Sequence, residues 1–385
     1  MAAQRNESHK IIVREERTAK SVRYTFDTPL EKPVWFELAG DPAPPTPLTL
    51  DFALHASIFM AMRTGLDLHV EGDVTEDCID NLYTYQEIWT TWRPDLYRMV
   101  KLSADRTIFA PRPMERTGVF AFSGGVDGTA ALARHLDDGM GERRIKPVGA
   151  MLINGFDVPI EETEWYAKTD RHIENMLSFL DLPIYRVSTN YRSLIGARYD
   201  ADIWGREFGP CLTASLHLFS EIAGFGVTGD DEDHNHIIFP APRGPVLDHL
   251  GATNRFHIRT EVSDLTRCER LALIVKKQPR FARDIRVCWE RIDSDMNCGR
   301  CEKCVRTQLN FIAIGEEPVG FKEKLTLFNM FKARAFTNLR LVFVQDNLMT
   351  ANKNNIALKW RLLFFVMLVK NSLFNLLWRC KLIRA

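Results

Sequence analysis

The chain has 385 residues with 50 basic and 50 acidic side chains, so no net positive charge marks it as a nucleic-acid binder. Hydrophobic residues at 45% and charged residues at 26% exclude a disordered or fibrous chain, and the length calls for two or three structural units. The even balance hides an asymmetry, because residues 320–385 hold 12 Lys or Arg against only Glu323 and Asp346, which leaves +10 on the tail and −10 on the rest.

In chain order, β-like runs at Lys10–Val13, Ser21–Phe26 and Val34–Leu38 precede a Pro-rich break over 41–48, a helix at Phe52–Met62, a strand at Leu66–Val70 and a helix at Thr75–Trp92. These predict an N-terminal α+β domain over residues 1–112. From Arg116 the pattern becomes apolar strand, turn and amphipathic helix, repeated. Strands are predicted at Gly118–Phe122, Pro147–Ile153, Ile184–Ser188, Gly226–Thr228 and His257–Val262. Helices are predicted at Thr129–Leu136, Glu161–Leu180 and Pro210–Ala223. Such alternation predicts an α/β fold with a parallel sheet over 113–318, its ligands at the carboxyl ends of the strands. Residues 319–385 read as a basic helical tail. No uncharged run reaches the roughly 20 residues of a membrane span, since Lys370 splits Leu362–Trp378. Three of the eight cysteines lie within seven residues and the opening residues lack an apolar signal core, so the expected setting is reducing and cytoplasmic.

Ala121-Phe-Ser-Gly-Gly-Val-Asp-Gly-Thr-Ala130 lies between a predicted strand and a predicted helix, where backbone N–H groups and a helix N-terminus converge on phosphate oxygens. Gly124 and Gly125 let the backbone approach an anion with no Cβ in the way. Ser123 and Thr129 offer hydroxyls, Val126 and Gly128 are counted with them among the nucleotide-binding loop residues, and Asp127 can hold Mg2+ or orient a loop amide. A capped strand-to-helix turn that binds nothing is the bland alternative. Neither the Walker A nor the Rossmann glycine pattern is present.

The segment resembles the PP-loop of the ATP pyrophosphatases, Ser-Gly-Gly-x-Asp-Ser, with Gly128 in place of the final Ser. The resemblance implies a Rossmann-like core of the adenine nucleotide alpha hydrolase type and cleavage of ATP at its α-phosphate.

Cys288, Cys298, Cys301 and Cys304 form Cys-x9-Cys-x2-Cys-x2-Cys. Four thiolates at this spacing complete a closed tetrahedral Zn2+ site, with a 4Fe-4S cluster as the competitor. Arg300, Lys303 and Arg306 supply compensating charge. Loop and cluster together are similar to the 7-cyano-7-deazaguanine synthase family of the queuosine pathway over about residues 116–312. Asn297-Cys-Gly-Arg-Cys-Glu-Lys-Cys-Val-Arg-Thr307 and Leu68-His-Val-Glu-Gly-Asp-Val-Thr75 look like a less characterised bacterial branch of PP-loop proteins. Queuosine-type enzymes lack the second segment, so their substrate does not carry over.

Polar residues follow other strands. Asn154 and Asp157 are expected on the nucleotide side of the site, and Asp230, Asp231, Asp233, His234 and His236 read as a solvated acidic loop. Arg267, near Glu269 and Arg270, is a candidate clamp for the leaving pyrophosphate. Gly209, Pro210 and Ser215 open a helix beside the loop.

The resulting expectation is a ligase that binds ATP and Mg2+, adenylates a carboxylate or amide oxygen of a small-molecule substrate, and transfers nitrogen. The alternatives are a sulfur transferase with an iron–sulfur cluster and an inactive nucleotide-binding module. Nucleic acid is not expected as a partner, peripheral membrane contact through the basic tail is a secondary expectation, and a homodimer is compatible with the sequence.

Overall fold

Val119 and Phe120 are neighbours on one strand, both fully buried, and they belong to different apolar clusters. Successive strand side chains point to opposite faces, so a sheet with two continuous apolar sides must be covered by helices on both. The computed structural model describes residues 8–111, 115–196, 201–290, 296–332 and 338–380 and has this layered arrangement.

The N-terminal part runs β1 (Ser8–Ile11), β2 (Arg14–Arg17), β3 (Ser21–Asp27), β4 (Pro33–Ala39), α1 (Asp51–Thr64), β5 (Asp67–Thr75), α2 (Glu76–Trp92) and β6 (Leu102–Ile108). The alternating part follows: β7 (Thr117–Ala121), α3 (Val126–His135), β8 (Lys146–Asn154), α4 (Thr163–Leu177), β9 (Ile184–Thr189), α5 (Tyr191–Leu194), α6 (Ala201–His217), β10 (Phe225–Gly229) and β11 (His257–Glu261). Beyond the last strand come helices α7 (Arg267–Lys277), α8 (Pro279–Asp284), α9 (Glu302–Ala313), α10 (Leu327–Lys332), α11 (Asn338–Lys353) and α12 (Leu358–Arg379).

The large sheet has the order β11-β10-β7-β8-β9-β4-β3-β2. Its first five strands are parallel, and the chain reverses its direction of travel across the sheet between β7 and β10. Ligands in doubly wound sheets bind at that crevice, outside the carboxyl ends of the strands. The glycine loop follows β7, so it stands there. Gly229 ends β10 against it, and a Cβ on Gly229 would lie 2.3 Å from the Asp127 carbonyl carbon. Only glycine permits this approach of β10 to α3.

The sequence division near residue 112 falls at 112–114, outside the described residues. The sheet joins what that division separates. Leu38 of β4 pairs antiparallel with Val187 of β9, and the Asn190 side chain accepts from the Trp35 N–H and donates to the Pro33 carbonyl. Helix α1 packs against α6 on one face of the parallel strands, within the apolar cluster shared with α2. The second face is covered by α3, α4, α7 and α8. A separate parallel sheet, β1-β5-β6, is the part confined to the N-terminal segment.

Two helix boundaries depart from expectation. Pro210 lies inside α6 rather than at its start. Helix α3 begins at Val126, three residues earlier than its apolar periodicity indicates, so its first turn is part of the loop.

Candidate functional site

Ser123, Gly124 and Gly125 lead from β7 into α3. Gly124 has φ +78°, a left-handed conformation that disfavours a side chain, and a Cβ there would meet Ile173 Cδ1 at 2.8 Å. Gly125 is the N-cap in extended conformation, without a side-chain cap of its own. The loop therefore leads directly into a helix N-terminus, whose first N–H groups lack intrahelical acceptors. Ser123 is partly exposed, as is Gly125.

The loop is braced from below by Arg286, which sequence reasoning missed. Its backbone N–H donates to the Gly124 carbonyl at 2.8 Å and its Nη1 to the Ser123 carbonyl at 3.1 Å. The same guanidinium lies 3.9 Å from Asp157, whose side chain is largely exposed. Proximity to Cys288 in the sequence was the one available hint. Asn154 ends β8, buried, with its amide nitrogen 3.5 Å from Ser188 Oγ and its Oδ1 without a hydrogen-bond partner among the described residues.

Asp127 does not project freely from the loop. It accepts from Arg270 Nη1 at 2.9 Å and from Arg267 Nη1 at 3.2 Å. Burial alone would raise this carboxyl, but Arg267 and Arg270 outweigh burial and hold it below the usual range. Arg270 is fully engaged, donating also to the carbonyls of Val262, Asp230 and Glu232. Val262 itself has φ +63°, a strained position for a β-branched residue at the carboxyl edge of the sheet.

Arg267 is thus placed near the loop but turned onto Asp127, and its Nε is buried with no hydrogen-bond partner among the described residues. Arg267 and Arg306 lie over the Phe343 ring of α11 at 6.0 and 4.1 Å from its centroid. Burial pulls Arg306 down to about 10, with Arg267 adding repulsion against the opposing pull of Glu302. It remains a cation at neutral pH, so the environment of Asp127 is strongly positive.

Gly128 faces β7, where a Cβ would sit 3.0 Å from the Ala121 carbonyl oxygen. Close packing of α3 on the sheet accounts for glycine here. Thr129 is fully buried and its hydroxyl has no hydrogen-bond partner among the described residues, so it does not stand at the solvent mouth of the loop.

The acidic segment after β10 is only in part the solvated run expected from its charges, with Asp231 and His234 exposed. Asp230 and Asp233 are buried, the first accepting from Ser263 Oγ at 2.7 Å and the second paired with His236 at 2.9 Å. Burial pushes Glu232 up to about 7. The turn from β10 toward β11 folds these carboxylates under the Arg270 contacts, a relation the charge pattern does not contain.

The four predicted metal ligands converge. Cys288, Cys298, Cys301 and Cys304 are buried, with all four sulfurs within 4.8 Å of one another. The Cys288–Cys301 and Cys298–Cys304 pairs are each 3.9 Å apart, far too long for a disulfide. Four thiolates at about 2.3 Å from one tetrahedral ion stand about 3.8 Å apart by geometry. The set fits a single metal ion. Gly299, at φ +84°, turns the knuckle, and Cys301 caps α9 by accepting from the Cys304 N–H. Backbone N–H groups of Cys301 and Cys304 point to the sulfurs of Cys298 and Cys301 at 3.4 and 3.5 Å. Residues 291–295 of the spacer lie outside the described residues.

Asn297 couples this knuckle to the loop. Its Oδ1 accepts from the N–H groups of Val287 and Cys288, and its Nδ2 donates to the carbonyls of Ile285 and Gly320. The segment that carries Arg286 to the glycine loop is therefore fixed by the metal-binding turn. Gly209 meets the Pro242 carbonyl closely, and Ser215 donates within α6 to Cys211, so both act in packing.

Comparison with protein-family models, curated proteins and solved structures gives no match for this chain.

Proposed function

We propose that the chain is an ATP pyrophosphatase-type ligase of the PP-loop kind. The observation that carries this reading is the placement of Ser123–Gly125 at the reversal point between β7 and β10, opening directly onto the N-terminus of α3. Backbone N–H groups and a helix N-terminus favour the pyrophosphate part of a nucleotide, and the Ser123 hydroxyl adds a donor. Arg286 fixes the loop by holding two of its carbonyls.

In the proposed reaction a substrate carboxylate or amide oxygen attacks the α-phosphorus of ATP. The bond to the bridging oxygen breaks and pyrophosphate leaves with that electron pair. An amine or ammonia then attacks the activated carbon, expelling AMP and releasing a proton. Positioning and charge stabilisation are the protein's contribution, so no side-chain nucleophile is needed. Asp127, already neutralised by two arginines, is a poor ligand for Mg2+, which would enter on the nucleotide phosphates.

The four-cysteine site is assigned to zinc in a structural role. All four sulfurs are buried within 4.8 Å of one another, a spacing that favours one tetrahedral ion over a cubane. Bound there, zinc would lock the turn that Asn297 ties to Arg286.

The test is ATP-dependent pyrophosphate release by zinc-loaded protein across pools of small carboxylates and amides, with equilibrium dialysis of ATP alongside. ATP binding with substrate-dependent pyrophosphate and AMP supports the ligase. Absence of ATP binding overturns it.

A further inference from the structure

Helix α12 displays an apolar face that nothing among the described residues covers. At about 100° per residue, Leu358, Leu362, Phe365, Val369, Leu373 and Leu376 fall within an arc of about 80°, and each is more than half exposed. Phe364, Met367, Asn371 and Asn375 are buried and lie on roughly the opposite side, where α12 packs on α11. The exposed stripe therefore does not result from poor docking. The helix is seated by one face and offers the other.

Its charges are arranged about that stripe. Lys359 and Lys370 follow one edge and Arg361 and Arg379 the other, while neither α10 nor α12 contains Asp or Glu. The two acidic residues of the tail are committed elsewhere. Asp346 is buried and accepts from the Cys268 N–H, and Glu323 pairs with Arg300. Lys370 donates to the Phe331 carbonyl, which brings α10 to the edge of the stripe. Leu327 and Phe328 of α10 are 63% and 73% exposed and widen the apolar surface there.

We infer that this face docks on an anionic membrane surface, with α12 lying in the plane of the interface. An apolar arc sinks among acyl chains while Lys and Arg on both edges reach phosphate headgroups. Helix α12 is also long and apolar enough to cross a membrane by length and composition. Spanning would require it to leave the cluster in which Phe364 and Met367 pack with Val305 and Leu309 of α9. A second copy seated on the same face would bring two cationic rims together, which like-charge repulsion opposes.

The experiment is cosedimentation of the full zinc-loaded chain with vesicles of phosphatidylcholine alone and of phosphatidylcholine containing about one third phosphatidylserine. Two double variants are compared, Phe365→Asp with Leu373→Asp in the stripe and Lys359→Glu with Arg379→Glu on the rim. All four positions are exposed, and unchanged zinc content and circular dichroism verify folding. The expected result is binding to the anionic vesicles, weakened by added salt and reduced at least tenfold by either double variant. Absence of binding to anionic vesicles overturns the inference. So does retention under alkaline carbonate extraction, which would mean a spanning helix, or a dimer broken by the stripe variant with no vesicle binding, which would make the face an interface between copies.

Discussion

Arg270 Nη1 lies 2.9 Å from Asp127 Oδ1, across the junction between the first turn of α3 and the first turn of α7. Because Arg270 also holds three backbone carbonyls from the β10 and β11 ends, this contact gathers the carboxyl edge of the sheet around the glycine loop. Replacing Asp127 with Asn leaves two buried guanidinium groups short of their anion. The expected loss is about 3 kcal/mol of unfolding free energy, measured by urea denaturation. The native carboxyl has a depressed pKa, so its contribution is present above the ordinary carboxylate range and is lost as pH falls through the depressed value. The Asn variant should show a shallower loss in acid than the parent chain.

The two loop glycines separate folding from binding. Gly124→Ala forces a left-handed residue against Ile173 and should cost about 1–3 kcal/mol. At Gly125 a Cβ meets the protein only at ordinary distances, 3.5 Å from Ser123 Oγ and 3.9 Å from the Arg286 carbonyl. Gly125→Ala should cost no more than about 1 kcal/mol, the difference between Gly and Ala at an N-cap, and weaken ATP binding at least tenfold, as read by thermal unfolding and equilibrium dialysis. Unchanged ATP affinity in that variant would remove the loop from the binding site.

Metal removal should act at a distance. One zinc per chain and no visible absorption band are expected from metal analysis and spectroscopy. Cys301→Ser should lose the metal, lower the melting temperature and weaken ATP binding, because Asn297 links the knuckle to the segment that carries Arg286. Stoichiometric iron with visible absorption would return the sulfur-transfer reading.

His55 and His217 stack with ring centroids 5.1 Å apart in the core shared by α1 and α6. Burial pushes His55 well below its ordinary value, with the His217 charge acting in the same direction. The unfolded chain therefore binds the proton first, and stability should decline as pH drops below about 6.5. Denaturation midpoints between pH 7.5 and 5.5 test this, and His55→Gln should flatten the slope.

The parallel core was legible because each strand is an apolar run followed by a helix-period pattern, as in Gly118–Phe122 and the segment after it. The cysteine turn was legible because its ligand spacing is local. Strands β2 and β6 were not read. Arg14–Arg17 is an exposed edge strand of charged residues, and Leu102–Ile108 alternates too weakly to signal burial. The contacts of Asp127 with Arg267 and Arg270 span about 140 residues of sequence and depend on how α7 returns to α3. Charge alone made Asp230 and Asp233 look solvated, whereas their burial follows from the turn beyond β10. The antiparallel addition of β4 to β9 is equally nonlocal, and nothing in either strand names the other.

That last pairing sets a timetable for biosynthesis. Phe36 on β4 waits for Thr189 on β9 before its outer backbone groups find partners. At roughly 5–20 residues per second, the intervening stretch takes about 8–30 s to emerge from a ribosome. Through that interval the hairpin of β3 and β4 presents an open strand edge beside the aromatic side chains of Tyr24, Phe26 and Phe36. A holding chaperone that shields this segment should raise the yield of native chain more than one that binds after release.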